Sequence, residues 1–129
     1  MTELMPRAVV IEDDAQVSLA VWAILTARGF AVTSFEERPS DLVSTVRSLG
    51  ADLVVLELAM IGEQGLQTVR DLIEGANCRT VLLLSPFDTL REAALAAGSH
   101  DLIGNDMRAI DHCVRRLQSD ETTARFAKS

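Results

Sequence analysis

Short apolar runs alternate along this chain with stretches in which apolar residues recur every three or four positions, so the pattern predicts strands and one-sided helices in turn. Arg7-Ala-Val-Val-Ile11, Asp52-Leu-Val-Val-Leu-Glu57-Leu58 and Thr80-Val-Leu-Leu-Leu-Ser85 are almost wholly apolar. Runs of that length suit strands buried on both faces of a parallel sheet. Phe30 to Phe35 alternates as a second strand would, and Asp101 to Ile103 makes a weak fifth.

Between the strands, a helix from about Ala15 to Arg28 places Val17, Val21, Ile24 and Leu25 on one stripe, with Gly29 as its stop. Pro39-Ser40-Asp41 opens a second helix with Leu42, Val46 and Leu49 inward, closed by Gly50. After a loop at Met60 to Gly65, a third buries Val69, Leu72 and Ile73. The fourth, about Asp88 to Ala97, is rich in alanine and stopped by Gly98, and the last runs from about Arg108 to Gln118 with Ile110, Val114 and Leu117 inward. Five βα units in series specify an α/β domain: a doubly wound, five-stranded parallel sheet flanked by five helices. Residues 1–118 read as that domain and 119–129 as a polar, frayed tail.

Composition narrows the function classes. The 129 residues are 48% hydrophobic, enough for one ordered domain. No apolar run approaches the roughly 20 residues that cross a bilayer, and Met1 to Arg7 lacks the features of a signal peptide; a cytoplasmic protein is expected, with no membrane partner. Acids outnumber bases 19 to 12, a formal charge of −7 that works against binding a phosphate backbone, so nucleic acid is not an expected partner. Cys78 and Cys113 show no ligand spacing and read as reduced space-fillers.

Parallel strands present their carboxyl ends on one rim, where α/β domains bind ligands. Glu12, Asp13, Glu57, Ser85 and Asn105 end four of the strands and should gather there. Carboxylates ~4 Å apart repel by roughly 4 kcal/mol per pair at an effective dielectric near 20, so such a group should bind a divalent cation or hold a proton. An all-oxygen set suits magnesium better than zinc. Acids stand where a phosphate-binding loop would need glycines, and Ser85 has no evident His partner in His100 or His112, so neither a nucleotide site nor a hydrolase elbow is present.

From about Arg7 to Gln118 this order resembles the receiver domain of two-component response regulators, with its flavodoxin-like (βα)5 fold. Val9-Val-Ile-Glu-Asp-Asp14 is similar to the family's first strand and its metal-binding acidic pair, here Glu12 and Asp13. Asp52-Leu-Val-Val-Leu-Glu57 is similar to the third strand, whose last position in the family is a phosphorylated Asp. Ser85 matches the hydroxyl that meets the phosphoryl group, and Gly65 and Gly98 match loop glycines. The resemblance implies a magnesium site at Glu12, Asp13, Glu57 and the carbonyl of Ala59.

The chain departs from the family's pattern where the chemistry is done. Glu57 stands for the acceptor Asp, Asn105 for the lysine, Asp106 for the following proline, Leu102 for the switch aromatic and Ile61 for a loop proline. One extra methylene moves the carboxylate by ~1.5 Å. A misplacement of ~1 Å can cost about a hundredfold in an aligned displacement. Asn105 donates a hydrogen bond but supplies no charge to a transition state stabilised by charge.

The expected function is therefore an atypical receiver, a pseudo-receiver in phosphorelay signalling: non-enzymatic, phosphorylation-independent and acting through protein contacts. Glu57 either imitates the phosphorylated state or leaves the scaffold unswitched. The expected partners are a histidine kinase or a downstream signalling protein, or a second copy. They would meet the face of the fourth helix, fifth strand and last helix, which carries Arg91, Leu95, Asp101, Ile110 and Arg115. No fused output domain is seen, which leaves a stand-alone adaptor or a fragment. The alternative is a working phospho-acceptor dependent on magnesium; a metal-dependent hydrolase is more remote, lacking a general base.

Overall fold

In the computed structural model, residues 5–60, 65–76, 78, 80–84, 91–99, 101–104 and 106–128 are described, with the backbone alone at 80–83, 91, 101–103 and 120–128. Five strands, β1 (Arg7–Ile11), β2 (Ala31–Phe35), β3 (Leu53–Glu57), β4 (Thr80–Leu84) and β5 (Asp101–Ile103), form one parallel sheet in the order β2-β1-β3-β4-β5. The helices are α1 (Ala15–Ala27), α2 (Leu42–Leu49), α3 (Gly65–Gly75), α4 (Arg91–Ala97) and α5 (Met107–Lys128), with a short 3-10 turn at Leu58–Met60.

β3 is buried at all five positions, because it lies in the middle of the sheet with helices over both faces. Alternate residues of β1 and β3 build two cores. Val9, Ile11, Val54 and Leu56 pack with Leu42, Val46, Val69, Leu72, Ala94 and Ala97 of α2, α3 and α4. Ala8, Val10, Leu53 and Val55 pack with Val21, Leu25, Ile110 and Val114 of α1 and α5. Cys78 and Cys113 are buried, as expected of residues that fill space in the core.

Local chemistry explains where helices begin and end. Asp14 caps α1, its side chain accepting from the amides of Gln16 and Val17, and Asp41 caps α2 by accepting from Ser44. Gly50 ends α2 in the left-handed conformation, φ 63°. Gly98, φ 109°, closes α4 in a backbone conformation that favours glycine, and a Cβ there would meet Ile73 Cδ1 at 2.6 Å, so that side chain would have to shift.

Two expectations change. α5 continues to Lys128 rather than stopping at Gln118, since residues 119–128 contain neither Gly nor Pro and include the helix formers Ala124, Arg125, Ala127 and Lys128. Ile110, expected both on the inner stripe of the last helix and on its interaction face, is fully buried in the core beneath α5. At about 100° per residue it shares a face with Cys113, Val114 and Leu117, which leaves Arg115 outward.

Candidate functional site

The register places two carboxyls side by side. Ile11 pairs with Leu56 across β1 and β3, so the next residues, Glu12 and Glu57, are neighbours at the carboxyl rim. Both continue the alternation of Val10 and Val55 and so belong to the α1/α5 face of the sheet. The Glu12 amide donates to the Phe35 carbonyl at 3.1 Å, which holds the end of β1 against β2.

Both residues are buried. Glu12 is 2% exposed and Glu57 8%. Glu12 Oε1 accepts from the Asp14 amide at 3.1 Å, and Glu57 Oε1 from the Ala59 amide at 3.3 Å. Glu12 Oε2 is buried with no hydrogen-bond partner among the described residues. Burial, above all, pushes the Glu12 carboxyl up from 4.5 to about 7; the Asp14 amide opposes this, while contact with Glu57, the Glu57 charge and contact with Asp13 add to it. A proton on Glu12 removes the like charge from its contacts with Glu57 and Asp13.

The positions expected to hold magnesium sit at the carboxyl ends of β1 and β3, but among the described residues no three Asp, Glu, His or Cys side chains come together as ligands for one ion. Asp13 is exposed beside Glu12, and Glu57 turns an oxygen back to the Ala59 amide. The Glu57 carboxyl is in contact with Glu12. The arrangement fits a protonated Glu12 beside Glu57 better than a divalent cation.

Leu84 pairs with Glu57 and with Ile103, which continues the rim through β4 and β5. Ser85 and Asn105, expected to complete it, lie outside the described residues, as does Ile61; Leu102 lies in β5, paired in register with Leu83. Sequence reasoning gave Asp14 no role of its own and missed that it caps α1. An Asp just before a helical pattern is the signal that would have identified it.

No family model matches the chain, and no curated protein matches it. Solved structures do match. A response regulator from Thermotoga maritima aligns with TM-score 0.75 and 25% identity over 90% of this chain and 97% of its own. A CheY-like receiver domain protein from Methanospirillum hungatei aligns with TM-score 0.77 and 13% identity, covering 94% and 99%. The chain has the receiver-domain fold. The same fold match extends to a putative pilus assembly protein from Burkholderia thailandensis, with TM-score 0.72, 20% identity and 89% and 99% covered. Among the described residues no helix is long and apolar enough to cross a membrane.

Proposed function

We propose that this receiver-fold domain serves two-component signalling as a protein-interaction module that accepts no phosphoryl group. The observation that carries this reading is the burial of Glu57 against Glu12 at the position where a receiver would hold its acceptor Asp. A nucleophile needs an open line of approach and a neighbourhood that lowers developing negative charge. Glu57 is longer by ~1.5 Å, leans on a second carboxyl and is backed in sequence by Asn105 rather than lysine.

Signalling then depends on the surface that the fold presents to a kinase or a downstream protein. On the α4–β5–α5 face, Leu95 is 43% exposed and Arg115 is exposed, an apolar residue and a cation that a partner surface can meet. Incubation with acetyl phosphate and magnesium followed by intact-mass measurement tests the reading. No mass change is expected. Gain of one phosphoryl group, lost in Glu57→Gln, would replace it with that of a working acceptor.

A further inference from the structure

A second surface lies away from the carboxyl pair, along the free edge of the sheet. Among the described residues β2 pairs with β1 alone, so one side of its backbone has no described strand beside it. The Ala31 amide donates to the Pro6 carbonyl, and the Phe35 carbonyl accepts from the Glu12 amide. Backbone groups alternate along a strand, so Ala31, Thr33 and Phe35 bond to β1 while Val32 and Ser34 turn their N–H and C=O groups outward. Nothing in Ala31–Phe35 carries the usual protection of an edge: no lysine, no proline, no other charge.

The side chains of Val32 and Ser34 line an open groove of about 410 Å³ together with Leu19 and Trp22 of α1 and with Glu36. Leu19 is 64% and Trp22 44% exposed, two large apolar residues one helical turn apart on the same flank of α1. The groove's carboxyl end is acidic. Glu36 and Glu37 follow the end of β2 as Glu12 and Asp13 follow the end of its partner β1, and Asp13, Glu36 and Glu37 are all exposed, with Arg38 the nearest opposing charge in sequence.

We infer that the β2 edge and its groove receive an extended, cationic segment of a protein partner, which adds as a sixth strand. Its backbone would bond to Val32 and Ser34, its apolar side chains would cover Leu19 and Trp22, and its Lys or Arg residues would meet Glu36, Glu37 and Asp13. A second copy of this chain is a poorer occupant, because each copy carries a formal charge of −7 and the two acidic ends would repel. This inference does not depend on whether Glu57 accepts a phosphoryl group.

The probe is a short labelled peptide alternating Lys and Val, compared with its Glu/Val counterpart and with a Lys/Val peptide N-methylated at alternate amides. Anisotropy should show saturable binding of the first alone, weakening as salt is raised, and the single Trp of the chain, Trp22, should shift its emission to the blue. Val32→Pro removes one outward N–H while sparing the bonds to β1; Glu36→Lys reverses a rim charge. Each should weaken binding about tenfold or more. Should Val32→Pro fail to fold, Glu36→Lys and the N-methylated peptide still decide. Absence of binding, equal binding of the Glu/Val or N-methylated peptide, indifference to Glu36→Lys, or a dimer in sedimentation that Trp22→Ser dissociates would each overturn the inference.

Discussion

Replacing Glu12 by glutamine keeps the shape of the buried side chain and removes its capacity to ionise. In the wild type the folded carboxyl titrates near 7 and the unfolded one near 4.5. Between those values the folded state binds more protons than the unfolded state, so stability falls as pH rises. The contribution is fully present below about 4.5 and lost above about 7. At about 1.36 kcal/mol per unit, the difference is roughly 3 kcal/mol, or a Tm change of the order of 10 °C for a domain of this size. The side-chain amide introduced by Glu12→Gln keeps an acceptor for the Asp14 amide and offers an N–H where Oε2 has no partner.

Urea denaturation of both proteins across pH 4 to 9 measures this directly. Near pH 4 the two should be about equally stable. By pH 8 Glu12→Gln should be the more stable by roughly 3 kcal/mol, because wild-type Glu12 must then be buried as an anion against Glu57. Taking the difference between the two proteins removes the titrating groups that do not touch Glu12. A constant offset at all pH values, or a variant weaker than wild type at pH 8, would show that Glu12 does not hold the proton.

Three further outcomes follow from the same geometry. Glu57→Asp combined with Asn105→Lys should gain one phosphoryl group from acetyl phosphate in intact-mass spectra, and Glu57→Asp alone should react more slowly, since it shortens the carboxyl without adding a cation. Gly98→Ala should lower stability by about 2 kcal/mol in thermal denaturation, because φ is 109° and the new methyl would meet Ile73. Arg28→Ala breaks the two bonds of its guanidinium to Asp111, at 3.0 Å each, that join α1 to α5. Both side chains are about one-third exposed, so the loss should stay below about 1 kcal/mol.

The strands and helices were legible because their signals are local. Apolar runs at Ala8–Ile11 and Leu53–Leu56, Asp41 before an apolar stripe and Gly50 after it each state a conformation within a few residues. The parallel sheet followed from their alternation, since every strand had to be covered on both faces. That Glu12 and Glu57 would share a rim was legible for the same reason. Other features needed the assembled molecule. The pairing of Ile11 with Leu56 made neighbours of two carboxyls far apart in the chain and put both on the α1/α5 face, and only their joint burial raised one of them to about 7. The place of β2 at the sheet's edge and the groove it forms with Leu19 and Trp22 likewise arose from packing. Conformational preference acts between near neighbours in the chain, whereas register, burial and the charge felt by a carboxyl depend on residues that meet only when the chain is folded.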